Sequence, residues 1–494
     1  MKQLAFDREK YIELQSQHIQ ERITQFNNKL YMEFGGKLFD DHHAARILTG
    51  FMPDTKLQML KSMAEIVEII ITINANDIAK SKLRNDLGIT YEVEVLRLID
   101  AFRSAGLYVG GVVITQFSGQ ENAVAFEQRL IRLGMNTYCH FPINGYPTNI
   151  DLIVSDDGLG KNDYVETTRP LVVVTAPGPG SGKMAFCISQ LYHDYRRGRP
   201  SGYAKFETFP IWNLPITHPI NLAYEAATAD LNDTNIIDPF HLHAYNIITV
   251  SYNRDVEAFP ILNALLSRIL GRELYRSPTD MGVNMIAFCI INDAACQENS
   301  KQEIIRRYYK EVVDYRFNYG TIEAVNKIES LMKQLDITVK SRPVVEAALA
   351  KAEMSQTPSM ALELPDGTIV TSKTSSLLGA SAALFLNALK AMAGIPDKQL
   401  LLSPDVITPI QMMKTNIIGN SNPRLHADEI LIALAISAST NPLAAAAMEQ
   451  LPNLKNCEVH STVLIPATDE YVFRKLSMHL TCEPHIVAKR LYKK

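Results

Sequence analysis

Residues 171–183 read Leu171-Val-Val-Val-Thr175-Ala-Pro-Gly178-Pro-Gly180-Ser-Gly182-Lys183, an apolar run that passes straight into a glycine-rich loop ending in lysine. Val172 to Thr175 are β-branched, as in a strand buried on both faces of a parallel sheet. The three glycines let the backbone curl, so that successive N–H groups point into one concavity. From Met184 onward the pattern is that of an amphipathic helix, whose N-terminus faces the same spot and favours negative charge. The stretch therefore predicts an anion site. Gly178, Gly180, Ser181 and Gly182 form its cradle, and Lys183 neutralises charge, acting as a catalytic group if a phosphoryl group is transferred.

Two fingerprints overlap here. The phosphate loop of nucleoside triphosphate enzymes is G-x-x-x-x-G-K-[ST]. Gly182 and Lys183 fit it, while Pro177 stands at its first glycine and Met184 at its hydroxyl position. The dinucleotide fingerprint G-x-G-x-x-A is met by Gly180, Gly182 and Ala185, with Glu207 at the distance of a ribose-binding acid. A tight structural turn with an incidental lysine is the third reading. The expected ligand is ATP, another nucleotide or a phosphorylated small molecule, with Mg2+ as the accompanying ion.

Outward from the loop, helix and strand patterns alternate. Helices are expected over 8–28, 53–64, 91–105, 120–133 and 256–270. Strands are expected over 29–34, 65–73, 109–117, 149–155, 203–209, 247–252 and 285–291. Such alternation reads as an α/β fold with a doubly wound, mostly parallel sheet. Two charged helices, 301–315 and 321–334, lead to Ser341-Arg-Pro343, so the first domain is expected over 1–335. The segment 336–494 has many small residues and fewer buried strands, and predicts a smaller, α-rich α/β domain. In it, Pro365-Asp-Gly367 marks a turn into a strand. The stretch from Thr371 opens a Ser/Ala-rich helix, and a strand over 458–465 precedes a last helix over 470–480. Gly379–Phe385, Ile430–Ala438 and Ala444–Ala447 are so apolar that they must be covered on several sides. Self-association into a homo-oligomer is the expected cover.

Bulk properties restrict the function classes. The net charge is −4, which gives no electrostatic basis for nucleic-acid binding. No apolar run is long enough to span a bilayer, and the charged N-terminus lacks the apolar core of a signal peptide. The six cysteines form no C-x-x-C pair, so neither a zinc site nor a disulfide framework is expected. Together these features predict a cytoplasmic protein.

Other clusters supply candidate chemistry. A second glycine-lysine loop, Gly35-Gly36-Lys37, leads to Asp40-Asp41-His42-His43. There Asp40 and Asp41 can bind a metal, or one of them can cap a helix. Asp293, following the apolar run 285–291, stands where a magnesium-binding aspartate ends a strand. Lys161 and Asp163 precede the glycine-loop strand and are candidate ligand-binding and catalytic groups. His241, in Asp238-Pro-Phe-His-Leu-His243, is a candidate acid/base. A non-catalytic nucleotide or metabolite sensor is the competing function class, because Met184 lacks the hydroxyl that meets magnesium.

The strings EFGGKLFDDHHAARILTGF, VSDDGLGKNDYVETTRPLVVVTAPGPGSGKM, KFETFPIWNLPITHPINLAYEAATADL and SPTDMGVNM together resemble the bacterial domain-of-unknown-function family 1846, also called uncharacterised protein family 0371. IVTSKTSSLLGASAA and NPRLHADEILIALAISASTNP resemble its C-terminal half. The resemblance implies a two-part α/β architecture in a cytosolic bacterial protein and assigns no catalytic residue.

Overall fold

A computed structural model describes residues 3–84 and 87–486. The chain divides into two compact units. One comprises Leu4–Glu225 and Asp233–Asn299; the other is built from Ser300 onward together with Ala226–Asn232.

The first unit is organised by seven strands: β1 (Leu30–Phe34), β2 (Val67–Asn74), β3 (Tyr108–Thr115), β4 (Thr137–Cys139), β5 (Leu171–Thr175), β6 (Gly202–Phe206) and β7 (Gly282–Val283). Their order across the sheet is β7-β6-β1-β5-β2-β3-β4, and every neighbouring pair runs parallel. The alternation of apolar strands and helices is thus realised as a parallel sheet. Its central strands β2 and β5 are buried along all but the last residue of β2, because helices cover both faces.

Connection direction fixes which helix lies on which face. Helix α1 (Arg8–Gln25) precedes β1; from β1 the chain moves through α2 (His42–Ile47) and α3 (Thr55–Ser62) to β2, and then through α4 (Tyr91–Ser104) to β3. From β3 it passes through α5 (Glu121–Arg132) to β4. From β5 it turns the opposite way through α6 (Lys183–Arg196) to β6. Right-handed crossovers put opposite directions of travel on opposite faces. In agreement, α4 packs on β2 and β3 while α6 packs on β1, β5 and β6 and against α7 (Asn253–Leu270). The reversal falls between β5 and β2, so the crevice at the carboxyl ends of those two strands is the topological switch point of the sheet.

Two expected strands take other forms. Residues 149–155 contain a one-turn helix, Ile150–Ile153, because the Asn149 side chain accepts from the Leu152 N–H at 3.1 Å and caps it. Residues 285–291 contain a 3-10 turn, Ile286–Cys289, started by Asn284 Oδ1 accepting from the Ile286 N–H at 3.0 Å. Phe288 and Ile291 face water, so the apolar run does not mark a buried strand, and Asp293 does not stand at a strand end. The parallel edge there is the two-residue β7. The 247–252 strand exists as Val250–Tyr252, paired antiparallel with Asn235–Ile237 outside the main sheet.

The second unit carries a mixed four-stranded sheet. Its order is β9 (Ile369–Lys373), β8 (Ser359–Glu363), β10 (Glu458–Ser461), β11 (His479–Cys482). The first two pairings are antiparallel and the last is parallel. Pro365-Asp-Gly367 makes the β8–β9 turn, as the sequence predicts. The expected Ser/Ala-rich helix starts later, as α8 (Ala380–Met392), because Thr371–Lys373 belong to β9. The last expected helix stops at Lys475; Ser477 takes a positive φ of 56° and the chain returns as β11. Buried Arg342 staples this sheet, donating to Glu458 at 2.7 Å and to the carbonyls of Val459 and His479. Around it pack α8, α9 (Pro404–Met412), α10 (Ala427–Ser437), α11 (Pro442–Met448) and α12 (Ala467–Lys475).

Candidate functional site

The glycine-rich loop, 176–182, occupies the switch point. It leaves β5 at Thr175 and enters α6 at Lys183. Polar residues at the ends of the neighbouring strands hold it through its carbonyls. Asn74, closing β2, donates to Gly180 O at 3.1 Å, and Thr115, closing β3, donates to Ser181 O at 3.0 Å. Ser181 turns its hydroxyl back onto Gly178 O at 2.9 Å. Two glycines are required here. A Cβ on Gly178 would lie 2.1 Å from the Tyr91 hydroxyl, and one on Gly182, at φ +83°, 2.8 Å from Thr115.

With the carbonyls tied down, the N–H groups are left over. Those of Gly180, Ser181, Gly182, Lys183, Met184 and Ala185 engage no acceptor among the described residues. The first intrahelical bond is donated by Phe186, to Gly182 O. A helix start with unengaged donors carries partial positive charge. Lys183 adds a full one and makes no hydrogen bond or ion pair among the described residues. Tyr91 stands on the other side of the loop, with Lys82 Nζ 5.0 Å above its ring. Ala185 and Gly180 are exposed, so the helix start is reachable from solvent. Chemically, this arrangement can hold a compact anion.

Asn74, Thr115 and Tyr91 were not among the residues singled out from sequence. The signal for the first two is a small polar residue terminating a long apolar run, Val67–Ile73 or Val109–Ile114.

The other sequence candidates lie elsewhere. Asp41 caps α2, accepting from the Ala44 N–H, and pairs with buried Lys56 at 2.7 Å. Burial opposes its ionisation, but Lys56 and the capping N–H outweigh it and hold the carboxyl below its usual range. Asp40 points to Arg97 instead, at 3.1 Å, so the two aspartates do not converge. Lys161 is exposed beside Asp157. Asp163 accepts from the Cys139 N–H at 2.7 Å and secures the chain after β4. Asp293 opens a helix, where it meets His218 at 3.1 Å and Gln297 at 2.6 Å. Among the described residues no three His, Cys, Asp or Glu side chains are grouped to hold a metal ion.

His241 sits in the short helix Pro239–Tyr245, which Asp238 caps. Ser277 Oγ lies 2.8 Å and Asp280 3.6 Å from the same ring nitrogen, Nδ1. A serine–histidine–aspartate relay needs the two partners on different nitrogens, so this trio does not form one.

Glu207 follows β6, and β1 lies between β6 and β5. The acid of the dinucleotide reading is therefore two strands from the glycine loop, roughly 10 Å at ordinary strand spacing. It is also occupied: Lys205 pairs with it at 2.8 Å and with Asp255 on α7. Burial, reinforced by the neighbouring Asp255, pushes the Glu207 carboxyl up to about 8 against the pull of Lys205. The cysteines form no disulfide among the described residues. Burial pushes the Cys139 and Cys296 thiols up to about 12, so they stay protonated at neutral pH. Among the described residues no helix is long and apolar enough to cross a membrane.

Comparison with known proteins agrees with the resemblance read from the sequence. Residues 4–336 match the family described as domain of unknown function DUF1846, N-terminal, and residues 340–492 its C-terminal counterpart. A UPF0371 protein of Streptococcus sanguinis (strain SK36) is 56% identical over 494 residues, and one of Streptococcus pneumoniae (strain JJA) is 55% identical over 494 residues. In both cases the match covers 100% of each chain. The chain belongs to this family.

Proposed function

We propose that this member of the DUF1846 family binds a phosphorylated small molecule, of which a nucleotide is the leading kind, on the Gly178–Lys183 loop. One observation carries the reading: among the described residues, six consecutive N–H groups find no acceptor and Lys183 beside them finds no partner, at the switch point of a parallel sheet. Ligands of open α/β sheets bind in that crevice. Donors that are already oriented cost little to organise when an anion arrives. Lys183 then acts on the anion as a point charge, and in a transfer reaction it would neutralise charge as it builds.

A triphosphate fits this reading better than a dinucleotide, because Glu207 is engaged by Lys205 and stands two strands away. Glu207→Ala is accordingly expected to leave ligand affinity unchanged; a tenfold loss would point to the dinucleotide. Calorimetry of the full chain against ATP, NAD and inorganic phosphate tests the proposal. Saturable binding to at least one is expected, and Lys183→Ala should weaken it by roughly 1.5–3 kcal/mol, the worth of a charged hydrogen bond. Binding to none of the three would refute it.

A further inference from the structure

The C-terminal unit carries an uncharged surface that its own core does not use. Between Val406 and Pro423 the only charged residue is Lys414, and between Ile430 and Met448 there is none. Lys414 is turned inward. It is buried, donating to Glu429 at 2.7 Å and to Arg424 O at 2.6 Å. That pair anchors the π-helical turn Met413–Ile417, which continues α9, to the first turn of α10. Glu429 lies three residues before Ile432 and seven before Ile436, on one stripe of α10. The Lys414–Glu429 pair thus ties the turn to the start of that stripe.

That surface is apolar and wet. Ile417, Ile418, Ile432 and Ile436 each leave more than three-fifths of their area in water, and Met412 and Met413 about half. The other faces of these helices are accounted for: Ile430, Ala433 and Leu434 lie in the core with Ala444 and Ala447. Isolated exposed apolar residues are ordinary, but six large ones on two elements joined by a buried ion pair are not. The six side chains offer on the order of 700 Å2, close to the ~800 Å2 that each partner buries in a standard stable interface.

We infer that this face, the Met413–Ile417 turn with the Ile432/Ile436 stripe of α10, docks a second copy of the chain. An uncharged patch meets its own copy without like-charge repulsion, and an isologous two-fold contact buries the same residues on both sides. A lipid surface would call for exposed Lys or Arg around the apolar face, whereas the one lysine here is buried.

Sedimentation velocity on the full chain at micromolar concentration tests the inference. A dimer or a multiple of it is expected. Ile436→Glu and, separately, Ile417→Lys should each weaken association at least ~30-fold without lowering the melting temperature. Mixing Ile436→Glu with Ile436→Lys should restore assembly. The inference is overturned by a wild-type monomer at these concentrations or by assembly that both charged variants leave intact. Flotation of a monomer with phosphatidylcholine vesicles would overturn it in favour of lipid. If one variant fails to fold, the other still decides, because the two lie on different elements.

Discussion

Two loops in the first unit begin alike and end differently. Both follow a parallel strand of the same sheet with glycines and then a lysine: Gly35-Gly36-Lys37 after β1, and Gly178 to Lys183 after β5. In the first, the polar groups are consumed internally. The Gly35 N–H donates to Phe206 O, Lys56 Nζ donates to Lys37 O and pairs with Asp41, Asp40 meets Arg97, and Lys37 itself has a partner. In the second, only the carbonyls are held, and the donors and Lys183 find no partner among the described residues. The difference teaches that the residue pattern alone does not make an anion site. What matters is whether neighbouring side chains satisfy the loop's acceptors or its donors.

Breaking the first loop should have the largest effect on folding. Lys56→Met would leave the Asp41 carboxylate buried without its partner, a defect that costs ~3–5 kcal/mol. Chemical denaturation measures it, and a loss under about 1 kcal/mol would show that Lys56 does not hold the loop. Next comes Gly182→Ala in the second loop, which combines a positive φ with a clash against Thr115. About 2–3 kcal/mol is expected. Gly180→Ala, with a similar φ of +74° and open space around it, should cost about 1–2 kcal/mol. Equal losses at the two positions would mean that Thr115 does not crowd the loop.

A smaller effect depends on pH. Unfolded, Glu207 ionises near 4.5; folded, near 8. Between those values the folded state holds the extra proton, so this group's contribution to stability declines as pH rises through that window and is constant above it. Asp255, held below its ordinary range, acts only at lower pH. Glu207→Gln cannot ionise and should lack the decline, so its stability relative to wild type should rise as pH passes through that window. Parallel stability profiles for the two proteins would contradict the assigned proton. The smallest effect on folding belongs to Lys183→Ala, within about 0.5 kcal/mol, because that side chain makes no hydrogen bond or ion pair among the described residues; a larger drop in melting temperature would make it structural.

Much of the frame is legible in the sequence, because apolar runs such as Val67–Ile73 and Leu171–Thr175 are dictated by burial between two helical layers. The order of strands is not: nothing in 171–206 says that β1 separates β5 from β6, and that insertion is what removes Glu207 from the loop. Residues 149–155 and 285–291 misled for a local reason, since Asn149 and Asn284 bond to the backbone and win against strand pairing. The glycine loop itself was legible as far as its residue types. Its supports, Asn74, Thr115 and Tyr91, come from 60 to 110 residues upstream, roughly, and are brought to it only by the parallel sheet. Asp41 followed its capping alternative, because an N-cap next to a buried lysine satisfies the carboxylate more fully than an exposed turn would.

On the proposed reading the second loop is open to an anion and the first is closed. Calorimetric titration of the phosphorylated ligand that binds most tightly, run in parallel on wild type, Lys183→Ala and Lys37→Ala, tests it most directly. A loss of roughly ten- to a hundredfold is expected for Lys183→Ala, and wild-type affinity for Lys37→Ala. Equal affinity in wild type and Lys183→Ala, or a loss confined to Lys37→Ala, would contradict it.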